Sequence, residues 1–355
     1  MPAISIDTFF ACSLMVLLVL SAMAATTKII YPSINDTLDA EAAKRFREIA
    51  EYMLLSPGEP SNWGQNRTTV PETFGLAKAY TENPYTLDLD KVSRLNGENL
   101  YALSYAQIFT SLGIQDVSFR LEIKPVFDVC INLTEVFESA DQTTYEFEVL
   151  TEKSGAAVSA LLRLYVVAEN FLETSAMYYS DGEVHLNVTV PNAVNGPALL
   201  VVFAKASFNP KIASFGVYSF AHNSPEPAEK DTFLRLSPLN YSLTATLARP
   251  EVVLSNAYSL TFNYSSTLTQ NANENQFATF SIPKLLDSSP TVLVVTGWNS
   301  TEFFAEWVAY PQIPLQVGAS FADSQSFSNV FSYTYLVTIG SAIYQCTVWL
   351  GGTRQ

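Results

Sequence analysis

The sequence predicts an α+β, mainly β protein: an N-terminal transmembrane helix and short helical region, followed by two antiparallel β-sandwich-like domains. Three observations carry that expectation. No charged residue occurs from Thr8 to Thr27, and twenty helical residues rise about 30 Å, the thickness of a bilayer core. Ala42, Phe46, Ile49, Ala50, Met53 and Leu54 recur at helical spacing. Beyond Gly113 the period changes to two, as where Val117, Phe119, Leu121 and Ile123 alternate with Ser118, Arg120, Glu122 and Lys124.

The first element is the apolar helix, residues 1–31. Ser5 stands where it can cap the start, and Asp7 falls in the first turn, where the helix dipole favours an anion. Pro32 should end or kink this helix. A second helix is then expected from Asp36 or Thr37, with Lys44, Arg45 and Arg47 interleaved with Glu41, Glu48 and Glu51 as a solvated face. Two prolines and a glycine between Ser56 and Pro60 stop it, and a loop crowded with Gly and Pro surrounds Trp63. A short helix near Asp88–Leu95 and a longer one over Glu98–Leu112 complete a helical collar, residues 32–114. In the longer helix, Tyr101, Tyr105, Phe109 and Leu112 form a stripe that reads as core.

From residue 115 the chain reads as strands. "TYEFEVL", "EVHLNVTV", "NYSLTATLA" and "AYSLTFNYSS" alternate as half-buried antiparallel strands do. "PALLVVFAK" and "TVLVVTGW" are apolar without a break, as expected of central strands covered on both faces. The polar, proline-containing segment Ala221–Asp231 suggests a linker at 223–230 between a β-sandwich domain, 115–222, and a second β-domain, 231–355.

Composition excludes several functions. A net charge of −15 argues against nucleic acid, whose phosphates need clustered Lys and Arg, and against docking on anionic lipid. Three cysteines make no disulfide framework. Alternation sends Cys130 to a polar strand face and Cys346 to an apolar one, which argues against their pairing.

The apolar run has two readings. A retained anchor is favoured because no basic residue precedes the run and Ile29, Ile30 and Tyr31 continue it. The rival is a cleaved export signal with Ala22-Met23-Ala24 as the cut site. Lys28, Lys44, Arg45 and Arg47 follow the run, and by the positive-inside rule they would hold the C-terminal bulk in the cytoplasm. The acidic, sequon-bearing strands favour the outside, and that orientation is the expectation.

"AISIDTFF", followed by an apolar helix rich in small residues, resembles the start of archaeal type IV pilin-like surface proteins with class III signal peptides. The resemblance covers roughly the first sixty residues. It implies Ala3 at the mature N-terminus and Asp7 as the acid that neutralises a neighbouring subunit's terminal amine during filament assembly. Two departures stand out: no basic leader precedes the helix, and Ala3 stands where the family has glutamine. "EYMLLSPGEPSNWG", "FGLA" and "LDLDKVSRLN" are similar to segments of uncharacterised archaeal surface proteins of this type, with no chemistry attached.

No catalytic motif is legible, so the expectation is a non-enzyme with no cofactor and no metal. His185 reads as an exposed strand histidine and His222 as part of the linker. Asp88 and Asp90 read as helix caps rather than calcium ligands. Trp298, Trp307 and Trp349 could form a sugar-stacking surface, although core or partial burial is the simpler reading. Seven N-x-S/T sequons mark Asn35, Asn66, Asn132, Asn187, Asn240, Asn263 and Asn299 as glycosylation candidates. Asn132, Asn187 and Asn263 fall on the polar faces of their strands.

Together these readings describe a single-pass membrane protein whose C-terminal bulk is extracellular. Its partners are the lipid bilayer, through residues 8–27, and other copies, through the N-terminal helix. Ala3, Ser5 and Asp7 are the assembly or anchor residues. The alternatives are a monomeric tethered module that binds glycan or a surface-layer partner, and a secreted carbohydrate-active enzyme.

Overall fold

The backbone is described, in a computed structural model, for residues 6–114, 116–274, 276–285, 288–300, 302–321 and 327–353. Side chains are described for the same residues except 6–12, 27–39, 273–274, 327–329 and 352–353. The chain divides into two units, residues 1–50 and 51–355. It is mainly β, as the alternation predicts.

One helix, α1, runs unbroken over Ile6–Leu55. This corrects the expectation of a separate helix beginning near Asp36 or Thr37, and of the two outcomes expected at Pro32, an end or a kink, the end does not occur. Proline removes one backbone hydrogen bond and costs about 3 kcal/mol in a helix interior. Its neighbours Ile30, Tyr31, Ser33 and Ile34 are only middling helix formers, but a helix already nucleated can continue past a single lost bond. Among the described residues no helix is long and apolar enough to cross a membrane. The expected span, 8–27, includes residues 8–12 and 27, whose side chains lie outside the described set.

Two sandwiches form most of the second unit. In the first, Asp128–Glu138, Gln142–Lys153, Ala156–Ala157 and Glu183–Pro191 make one sheet. It faces Ser159–Ala168, Phe171–Thr174, Tyr178–Asp181, Ala198–Ala206 and Ala213–Phe220 across a core that includes Phe147, Leu162, Leu186 and Leu200. In the second, Leu234–Leu239, Ser242–Leu247, Thr269–Glu274 and Phe277–Ser281 pack on Val252–Leu260, Ser265–Thr267, Thr291–Asn299 and Glu302–Tyr310.

The two unbroken apolar runs lie where the sandwiches meet. Leu200 and Val202 point into the first core, while Leu199, Val201 and Phe203 of the same strand meet Tyr258, Leu260, Val292 and Val294. Leu293 and Val295 in turn point into the second core. Both faces of Ala198–Ala206 and Thr291–Asn299 are therefore covered, so neither strand alternates.

A further sheet crosses the expected 222/231 boundary. Val117–Pro125 pairs with Ala342–Thr353 and Leu315–Gly318, and Phe327–Ile339 and Thr86–Leu87 extend the sheet. Alternation identifies the strand Val117–Pro125 and its buried face, but it carries no information about a partner near the other end of the chain.

The collar has two short helices, α2 (Leu89–Ser93) and α3 (Tyr105–Leu112). The expected helix over Glu98–Leu112 is thus shorter at its start. Ser104 and Gln107 form a capping box, and Gly113, with φ +67, ends the helix. Residues ahead of the cap serve other bonds: Asn99 Nδ2 donates to Pro238 O (3.1 Å) and to Gln312 Oε1 (2.5 Å). The buried face of α3 is Ile108 and Ser111 rather than the aromatic stripe, and the Tyr105 ring sits 5.3 Å from that of Phe119.

Candidate functional site

The three segments without legible chemistry converge on one buried hub. Gly58 adopts φ +69, and a side chain on Gly75 would overlap the carbonyl oxygen of Ser56, so "SPGEP" and "FGLA" lie backbone to backbone. Ala77 N donates to Ser56 O (2.9 Å) and Leu76 N to Met53 O (2.9 Å). Into this fold α2 projects Lys91, and its C-cap residue Arg94 follows, 0% and 2% exposed. Lys91 Nζ donates to Pro57 O (2.7 Å) and Ala77 O (2.8 Å). Arg94 donates to Trp63 O (2.7 Å), Thr69 O (2.8 Å) and Tyr101 O (2.9 Å). Both cations lie near the Trp63 ring, whose Nε1 donates to Gly75 O (3.1 Å).

Burial pushes the Lys91 ammonium down to about 8, with the Asp88 charge opposing the shift. Asp88 caps α2, accepting from Asp90 N (3.0 Å) and Lys91 N (3.1 Å). Asp90 is instead buried, accepting from the Tyr310 hydroxyl (2.6 Å) and Asn240 N (2.7 Å) of the second sandwich. Burial raises its carboxyl to about 6 against those two bonds. Lys91 and Arg94 bind five backbone carbonyls and the acid accepts from a hydroxyl and an amide, so the hub is mechanical: it ties loops to a sandwich.

An open cavity of about 590 Å³ lies in the first sandwich, lined in part by Tyr145, Tyr218, Phe220, Glu138, Asn192 and Glu226. His222, expected in the linker, is 2% exposed beside it. Pro191 O can only accept, so His222 Nε2 donates to it (3.1 Å), and in the neutral ring Nδ1 accepts from Tyr145 Oη (2.8 Å). Aromatic faces with a polar rim are an arrangement that can hold a sugar ring by stacking and hydrogen bonds.

His185 is exposed on the outer face of the same sandwich, as its alternation predicts. Its cross-strand partner is Glu148. Glu148, Glu183 and His185 each place a potential ligand atom within 4.8 Å of the others. Sequence reading takes His185 alone, because the strand register that brings the carboxylates beside it is not written in either strand. Cys130 is exposed and Cys346 buried, and both are free thiols. Burial raises the Cys346 thiol to about 12. Trp298, Trp307 and Trp349 are half-buried.

Ala3 and Ser5 lie outside the described residues, and Asp7 falls in the first turn of α1 with its side chain outside them. Asn35 is within α1, its side chain likewise not described. Asn66, Asn132, Asn187, Asn240 and Asn263 are exposed. Asn299 is half-buried, with Oδ1 buried and without a hydrogen-bond partner.

No family model matches the chain, and no curated protein matches it. Among solved structures the chain is similar to HBP35 of Porphyromonas gingivalis, at 12% identity over 52% of this chain, with a TM-score of 0.18. The match spans 64% of that protein's length, and the likeness is too slight to carry a fold or a role across.

Proposed function

We propose that this chain is a single-pass membrane-anchored extracellular surface protein, a structural component that joins a pilin-like filament through its N-terminal helix. One observation carries the reading. Seven consecutive side chains, Leu14 to Leu20, are 51–70% exposed. Seven residues sweep about two helical turns, so the helix is apolar on every side and exposed on every side. In water such a surface marks a site for lipid or another protein. Ser21 Oγ donates to Leu18 O (2.9 Å) and Thr26 Oγ1 to Ala22 O (2.5 Å), which spares both hydroxyls an unpaired proton in an apolar setting.

Asp7 gives this reading its assembly step. A carboxylate in the first turn of a lipid-embedded helix leaves lipid favourably when it meets a cation, such as a neighbouring copy's terminal amine. Asp7→Ala should then stay in the membrane and be missing from filaments released by detergent-free shear. Normal incorporation of that variant would remove the role.

A second reading, a tethered monomeric module that binds glycan, is favoured by the cavity beside Tyr145 and Tyr218. Under it, shear releases no polymer, and Tyr218→Ala loses retention on immobilised sugar. Polymers containing the chain, together with no sugar retention, would eliminate it.

A further inference from the structure

We propose that the outer face of the first sandwich binds one divalent transition cation, Zn²⁺ being the probe of choice, between His185, Glu183 and Glu148. Three features of the face support the assignment. The first is spacing. His185 Nε2 stands 3.5 Å from Glu183 Oε1. Two ligand atoms about 2.1 Å from a tetrahedral cation stand about 3.4 Å apart, so this separation is that of a coordination edge. The Glu148 carboxylate completes a triad whose ligand atoms all lie within 4.8 Å of one another.

The second is orientation of the ligands. His185 Nδ1 lies 3.1 Å from Glu146 Oε1, so a carboxylate holds the ring nitrogen on the far side from Glu183. That is the carboxylate–histidine–metal relay found behind metal-bound imidazoles. Asn132 Nδ2 donates to Glu148 Oε2 (3.1 Å), which fixes the second carboxylate as well. These contacts follow from the register: Asn132 pairs with Glu148, Glu148 pairs with His185, and Glu183 precedes His185 by two residues on the same strand face.

The third is charge. Glu146, Glu148 and Glu183 bring three carboxylates to one imidazole on a chain of net charge −15. Carboxylates gathered on one sheet face repel one another, and a dication between them lowers that repulsion. The imidazole nitrogen selects transition cations over Mg²⁺ and Ca²⁺, which take oxygen ligands. The half-open face leaves the fourth position to water.

The test uses the full-length chain, stripped with chelator and titrated with Zn²⁺ by calorimetry in a large excess of Mg²⁺, which occupies general acidic surface. One Zn²⁺ should bind per chain. His185→Ala and Glu183→Ala should each weaken binding at least tenfold, and Glu146→Gln should weaken it by about tenfold through the relay. Co²⁺ in the same site should give a visible absorption band that disappears in His185→Ala. All three side chains lie on an exposed or half-exposed face, so the thermal midpoints of the metal-free variants should match that of the parent. Failure of the parent to retain Zn²⁺ over Mg²⁺ would overturn the site. So would unchanged Zn²⁺ affinity in folded His185→Ala and Glu183→Ala.

Discussion

Helices α1 and α2 invert the usual distribution of residues in opposite directions. In α1, Leu14 to Leu20 carry large apolar side chains into the exposed class. In α2 and its C-cap residue, Asp90, Lys91 and Arg94 carry charges into the interior. A buried charge persists where hydrogen bonds replace water, and α2 finds all of its partners inside this chain: five carbonyls, one hydroxyl and one amide. An exposed apolar helix needs the opposite, an apolar surrounding, and our account assigns that role to lipid and to other copies. The comparison teaches that the same rule, satisfied internally, marks scaffold, and satisfied externally, marks function.

Arg94→Met attacks the internal half and should have the largest effect. It leaves the carbonyls of Trp63, Thr69 and Tyr101 without that donor, and each orphaned buried group costs about 1–3 kcal/mol. A loss of about 3–5 kcal/mol is expected, read from the urea midpoint at constant slope. A change under about 1 kcal/mol would show that the hub stands without its cation.

Leu17→Asp attacks the external half. The urea midpoint should stay within about 0.5 kcal/mol of the parent, as for a surface change. Membrane retention should fall, because an acid at a helix centre costs about 2.5–3.5 kcal/mol on insertion scales. Loss of folding with retained membrane binding would reverse the assignment of the two helices.

Acid titration sharpens the internal half. Burial raises Asp90 from its ordinary 3.8 to about 6, and Glu306 from 4.5 to about 7. Between the ordinary and folded values the folded chain holds protons that the unfolded chain releases. These two groups therefore add stability as pH falls from about 7.5 toward 4, and that share is lost as pH rises through 6 to 7. Asp90→Asn should flatten the gain in a pH series of urea midpoints, and a slope identical to the parent's would refute the Asp90 share. Tyr145→Phe should have the smallest effect, about 1 kcal/mol for the lost bond to His222, measured by thermal unfolding.

Strands and their faces were legible because side chains alternate with period two, and the half-buried strand Gln142–Lys153 shows it residue by residue. The covered strands Ala198–Ala206 and Thr291–Asn299 were legible by the absence of alternation. Partners were not. The strand Val117–Pro125 does not specify Ala342–Thr353, and His185 does not specify Glu148. The hub was illegible for a related reason: Lys91 and Arg94 bind backbone carbonyls, and every residue carries one. Pro32 misled because a helix already nucleated can continue past one lost hydrogen bond, which a local breaking preference does not reveal.

The most direct test is the intact mass of the native chain recovered from the membrane pellet after alkaline carbonate washing. The account predicts a pelleted molecule that still contains Leu14 to Leu20, beginning at Ala3 or Ile4 if it is processed as a pilin and at Met1 or Pro2 if it is an uncut anchor. A carbonate-soluble molecule that begins at Ala25 would contradict it.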